Sequence, residues 1–147
     1  MYVLRHTPIS RQAALPVGGV TALQALDMLA LSPGASLLIL GAGGSVGRAA
    51  IQLARIRGLT VHASAPAWEV DGSRRLGAHA TFDQASDWVA QLQGPVDGVL
   101  DLIGGDALEG ALVRLVVAGT TGEVVDDLIA VEVAPGDCHY LPSGTCH

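Results

Sequence analysis

Short apolar runs alternate with amphipathic ones along the middle of the chain. "LLIL" (37–40), "TVHASA" (60–65), "AHATF" (78–82) and "VDGVLDLI" (96–103) have the length and the β-branched or aliphatic content of buried strands. The segments between them carry helical spacing. In the first, Val46, Ala50, Leu53 and Ile56 or Arg57 form an apolar stripe while Arg48, Gln52 and Arg55 face the other way. The second, "AWEVDGSRRL" (67–76), contains Gly72 and predicts a poor or broken helix. A third starts at Asp106, whose carboxylate suits the amide near Glu109, and continues through Leu108, Leu112 and Leu115. Strand, helix, strand, helix in this order predicts an α/β fold: a Rossmann-type, doubly wound parallel sheet with right-handed crossovers, incomplete at its C-terminal end.

Ahead of the first strand, "GGVTALQALDMLALSPG" (18–34) reads as a helix with only Gln24 and Asp27 strongly polar. Pro33 disfavours helix at Ser32, and Gly34 turns the chain into the strand. So apolar a helix needs cover on most sides. The pattern divides the chain into an N-terminal arm (1–17), a nucleotide-binding domain with its leading helix (18–125) and an irregular tail (126–147).

Composition narrows the function. A chain of 147 residues suits one domain with a real core. Fourteen acidic against eight basic residues give a net charge of -6, which disfavours a nucleic-acid partner, although a single nucleotide can still be held by backbone amides. No stretch approaches the ~20 apolar residues of a membrane span, and "MYVLRHTPIS" lacks a secretory h-region, so a cytoplasmic protein without membrane contact is expected. The only cysteines, Cys138 and Cys146, are each followed by histidine, His139 and His147. Thiolate and imidazole are zinc ligands, but the separations do not match the common zinc-finger spacings, and no metal site is expected.

The chemistry concentrates in "LILGAGGSVGRAA" (38–50). A strand ends near Leu40 and a helix starts near Gly44, so the free amides and positive dipole end of the helix meet whatever lies above the strand. Gly41 and Gly44 remove Cβ atoms that would block a pyrophosphate, Gly47 lets the helix lie close to the sheet, and Ser45 adds a hydroxyl. The spacing is G-x-x-G-x-x-G rather than G-x-G-x-x-G, because the residue three after Gly43 is Val46. No Lys-Ser or Lys-Thr follows, which excludes a P-loop. A ligand-free tight turn remains the alternative reading.

Four segments, "AALPVGGVTALQAL", "LSPGASLLILGAGGSVGRAAIQLA", "RRLGAHATFD" and "VDGVLDLIGGDALEGAL", occur in this order between Ala13 and Leu115. Together they resemble the nucleotide-binding half of the zinc-independent quinone oxidoreductase branch of the medium-chain dehydrogenase/reductase superfamily. The resemblance implies a Rossmann domain binding NADP or NAD and hydride transfer to a quinone, enone or similar carbonyl acceptor. By position it implies that Ala42, Gly43, Gly44, Ser45 and Val46, between the Gly41 and Gly47 already read from the turn itself, form the pyrophosphate turn. Thr21 would lie near the nicotinamide, Ser64 near the adenosine ribose, and Ile103, Gly104 and Gly105 beside the nicotinamide ribose. Each has a simpler reading: Thr21 as a helix cap, Ser64 as a strand end, the last three as a turn. Members of the family normally carry a substrate domain ahead of "AALPVGGVTA", so the resemblance further implies a fragment, inactive alone and associating through uncovered surfaces, for instance as a homo-oligomer.

The second strand ends "HASAPA" with no acid until Glu69, and an acid at this point is what usually accepts from the ribose hydroxyls of NAD. NADP is therefore expected over NAD, an expectation tempered by Glu69, which stands where the family has a helpful lysine and would repel a 2′-phosphate, with Arg74 and Arg75 too far along to compensate. His6, His62, His79 and Asp101 have acid–base chemistry but no catalytic assignment. The alternative function is a non-catalytic nucleotide-binding or assembly module.

Overall fold

The computed structural model describes residues 9–104, 106 and 131–132. Its elements run α1 (Ile9–Leu29), β1 (Ser36–Leu40), α2 (Ser45–Ile56), β2 (Thr60–Ala65), a 3-10 turn (Ala67–Glu69), α3 (Val70–Leu76), β3 (Ala80–Asp83), α4 (Trp88–Gln91), β4 (Gly98–Asp101) and β5 (Val131–Glu132). The strands form one sheet in the order β3-β2-β1-β4-β5. Every neighbouring pair is parallel. This is the strand order of a dinucleotide-binding fold, in which the chain winds one way from β1 to β3 and returns to the other side of β1 with β4. The predicted α/β class and parallel sheet are what is observed.

Strand β1 shows why the sheet must be covered on both faces. Its residues alternate in direction, yet Leu37, Leu38, Ile39 and Leu40 are all fully buried. Leu37 and Ile39 join Ala22, Ala25 and Leu26 of α1 and Ala50, Ile51 and Ala54 of α2 in the larger core. Leu38 and Leu40 join Phe82, Trp88, Leu92, Val96 and Val99 in a smaller one. At the opposite edge from the glycine turn, Ser36 and Asp97 lock β1 to the start of β4. The Asp97 carboxylate accepts from the Ser36 amide at 2.7 Å and from its hydroxyl at 2.9 Å, and the Asp97 amide donates to the Ser36 hydroxyl at 3.0 Å.

Several element boundaries and faces differ from the pattern. Helix α1 begins at Ile9, within the segment read as an arm, and stops at Leu29, where Ala30 takes a left-handed φ of 48°. On α2 the buried row is Gly47, Ala50, Ile51 and Ala54, one step round from the expected stripe, and Ile56 is 81% exposed. Small residues cause this shift: glycine and alanine let α2 sit close to β1 and α1, and a hydropathy pattern underweights them. The Gly72 segment does break, into the 3-10 turn and the seven-residue α3. Helix α4 was not anticipated, since four residues show no helical period; its signal is Asp87, whose carboxylate accepts from the Ala90 amide at 3.2 Å. Strand β5 extends the sheet with residues 131–132, inside the segment read as an irregular tail. The helix expected from Asp106 to Leu115 and the tail residues Cys138, His139, Cys146 and His147 lie outside the described residues.

Helix α1 packs its Ala22, Ala25 and Leu26 inward while Val17, Val20 and Leu23 stay exposed. Arg57 at the end of α2 pairs with Asp27 and ties the two helices together. Among the described residues no helix is long and apolar enough to cross a membrane.

On the smaller-core face, the His62 ring stacks on Phe82 with centroids 6.5 Å apart and planes 11° from parallel. Its Nδ1 is buried without a partner. Burial, and secondly the neighbouring His79, hold the His62 pKa below the ordinary 6.5. Protons therefore bind the unfolded chain more readily than the folded one, and the stability that neutral His62 contributes is complete above pH 6.5 and declines as pH falls below it. The melting temperature should drop between about pH 7.5 and about pH 5.5. His62→Phe should flatten that drop, as followed by circular dichroism; an equally steep drop in the variant would assign it elsewhere.

Candidate functional site

The glycine turn sits where the winding reverses. In open parallel sheets, ligands bind in the crevice beyond the carboxyl ends of the two strands that flank such a reversal, here β1 and β4. The turn is held from both sides. Toward β2, the Ser64 carbonyl accepts from the Gly41 amide at 3.0 Å and the Ala42 amide at 2.8 Å. Toward β4, the Leu102 amide donates to the Leu40 carbonyl at 3.0 Å, and a Cβ on Gly41 would lie 2.9 Å from Ile103 Cγ1.

Three glycines have three different reasons. Gly41 has a φ of 80°, a conformation that side chains rarely adopt, and is crowded by Leu102 and Ile103. Gly47 meets the turn itself: an added Cβ would lie 2.6 Å from Ala42 Cα and 2.7 Å from the Gly41 carbonyl oxygen. Gly44 caps α2 in an extended conformation, and its Cβ would meet only the Gly41 carbonyl oxygen, at 3.7 Å. Gly41 is thus fixed by fold geometry. Gly44 alone of the three opens onto free space, as close approach of a ligand requires.

The first intrahelical hydrogen bond of α2 runs from the Arg48 amide to the Gly44 carbonyl at 2.9 Å. The amides of Ser45, Val46 and Gly47 therefore lie outside the helix ladder, at the positive end of the dipole, and Gly44 supplies no side-chain cap. Such an end is suited to a phosphate or pyrophosphate.

Most of the residues singled out from sequence converge here. Ile103 and Gly104 belong to the loop after β4, where fully buried Asp101 accepts from the Ile103 amide at 3.0 Å and from the Gly104 amide at 3.0 Å (Oδ1) and 3.1 Å (Oδ2). Asp101 thereby shapes the loop. Thr21 is half-buried on α1, one turn beyond Gly18, whose own Cβ would lie 3.1 Å from the Ser45 backbone. Ser64 is 1% exposed and contributes its carbonyl to the turn. Gly105 lies outside the described residues.

Sequence reasoning missed Arg48 and gave Glu69 only a repulsive part. Glu69 stands four residues beyond β2, yet the 3-10 turn folds it back so that Pro66 Cδ and Glu69 Cβ would lie 3.1 and 3.2 Å from a Cβ on Gly43. Arg48 Nη1 then pairs with Glu69 Oε2 at 2.7 Å. The wide separation of the two residues along the chain gives no local signal. Among the described residues no three His, Cys, Asp or Glu side chains gather as a metal site.

Comparison with known proteins agrees with this fold. No family model matches the chain. The quinone oxidoreductase of Coxiella burnetii superposes with a TM-score of 0.75 at 31% identity, over 90% of this chain and 46% of that one. The quinone oxidoreductase of Thermus thermophilus, solved also in complex with NADPH, gives 0.67 at 31% identity, over 78% of this chain and 39% of that one. In sequence, the phenolphthiocerol synthesis polyketide synthase type I Pks15/1 of Mycobacterium marinum is 37% identical over 119 residues, which are 75% of this chain and 6% of that protein. A trans-enoyl reductase and NAD-dependent alcohol dehydrogenases also match. The chain therefore stands with the nucleotide-binding domains of the medium-chain dehydrogenase/reductase superfamily, alongside its quinone oxidoreductases and enoyl reductases. It spans less than half the length of these relatives and structures.

The contact between α2 and the turn generates a sharp expectation. Gly47→Ala forces apart backbone that its Cβ would meet at 2.6 Å, and should destabilise the fold by about 1–3 kcal/mol. Gly44→Ala should leave stability within roughly 0.5 kcal/mol. Urea unfolding of both variants against the parent checks the contrast.

Proposed function

We propose that the chain is the NADP-binding domain of a medium-chain reductase that passes hydride from NADPH to a quinone or enone-type acceptor. The observation that carries this reading is the glycine turn at the β1/β4 reversal, with three α2 amides outside the helix ladder and open space above Gly44. Gly41 to Gly47 would hold the pyrophosphate, Ser64 would border the adenosine ribose, and Thr21, Ile103, Gly104 and Gly105 would border the nicotinamide half. The cofactor supplies the redox chemistry. The protein's share is to bind and orient it.

NADPH is preferred over NADH in this reading because β2 ends in Ala65 with no acid to accept from the ribose 2′-hydroxyl. Glu69, the first acid beyond, is paired with Arg48, which offsets its charge near the turn. The small-molecule likeness of the relatives, the net charge of -6 and the amide-based site all support a nucleotide ligand rather than nucleic acid. Zinc takes no part, and the protein is cytoplasmic. The exposed row Val17, Val20 and Leu23 favours self-association or docking through α1. A non-catalytic nucleotide-binding module is the second reading, supported by the same turn; reductase turnover with NADPH by any assembly containing this chain decides against it.

Calorimetric titration of the 147-residue chain tests both halves of the proposal. Gly44→Val should fold as the parent does and bind NADPH at least roughly tenfold more weakly by crowding the pyrophosphate; unchanged affinity would place the ligand elsewhere. NADPH should bind more tightly than NADH, and the reverse order would overturn the cofactor assignment.

A further inference from the structure

Trp68 is 82% exposed, although the chain's other tryptophan, Trp88, is 5% exposed and packed in the smaller core. A solvated indole forgoes the favourable burial that tryptophan ordinarily finds and leaves a flat aromatic face free to meet a ligand. Its location says what. Trp68 is the middle residue of the 3-10 turn Ala67–Glu69, directly after β2 at the carboxyl edge of the sheet. The residues on either side are fixed: Pro66 and Glu69 both press against Gly43, and Glu69 is held by Arg48 at 2.7 Å. The indole is thereby carried on an anchored turn beside the glycine turn.

In this topology the end of β2 is where the adenosine half of a dinucleotide lies, because its ribose is read there. We infer that Trp68 is the stacking platform for the adenine ring of the bound dinucleotide. This rests on the dinucleotide reading above. Adenine has no charge to pair and a large π-face, and a flat exposed aromatic at the rim of the site is the chemistry that recognises it without needing a base-specific hydrogen bond. The occupant is the adenine ring; a segment of another protein covering Trp68 is the competing outcome.

ADP-ribose, which has the adenosine and pyrophosphate but no nicotinamide, is the probe, with NADPH alongside it. In the parent, ADP-ribose should quench tryptophan emission, since Trp68 is the solvent-exposed fluorophore. Trp68→Ala should keep the parent's melting temperature, lose most of the quenching and bind both ligands about tenfold more weakly by calorimetry. Trp68→Tyr should restore most of the affinity, which a merely structural role for the indole would not explain. Parent-like affinity of Trp68→Ala for ADP-ribose would overturn the platform while leaving the dinucleotide site standing. Absence of binding of either probe to the parent would overturn both.

Discussion

The structure depends on one contact between two pieces of backbone. Where α2 crosses the end of β1, an added Cβ on Gly47 would fall 2.6 Å from Ala42 Cα, inside any tolerable separation. Only glycine allows the helix to start so close to the strand it follows. That closeness aims the first amides of α2 across the turn, and it lets Ala50, Ile51 and Ala54 continue the same approach along the helix. Helix α1 joins on equal terms: Gly18 meets the Ser45 backbone, and Ala22, Ala25 and Leu26 follow inward. One face of the sheet is thus closed by small residues.

The fold was legible in sequence because its strands are short apolar runs bounded by turn residues, and because the glycines fall between a strand and a helix. The face of α2 was not. A hydropathy pattern gives weight to Val46, Leu53 and Ile56, whereas packing at this distance selects Gly47, Ala50 and Ala54 by size. Four-residue α4 and the left-handed turn at Ala30 escaped for a related reason: neither spans enough residues to show a period.

At the site, the positions were legible and the reasons only partly so. The glycine spacing assigns both Gly41 and Gly44 to ligand approach, yet Gly41 is set by its φ of 80° and by Ile103, while Gly44 faces open space. Ser64 was chosen for its place at the strand end, and the contact seen there is made by its carbonyl, which gathers the amides of Gly41 and Ala42. Arg48 and Glu69 could not have been paired from the chain order, since it is the 3-10 turn that folds Glu69 back. Backbone roles such as these leave only glycine spacing as their trace.

A site made of backbone explains how a likeness of 31% identity coexists with a TM-score of 0.75. Amides that bind an anion need a turn of fixed shape, and that shape demands particular residues only where a Cβ would collide. Everything that distinguishes one dinucleotide or one acceptor from another must then come from side chains standing on the rim. In this chain the described rim consists of the loop after β4, shaped by Asp101, and the turn after β2, anchored by Glu69 on Gly43 and Arg48. The first presents Ile103 and the second presents Trp68, both exposed. Two exposed apolar side chains on two anchored loops thus stand on either side of the glycine turn, the placement that the proposed dinucleotide, charged in its middle and aromatic at its ends, would use.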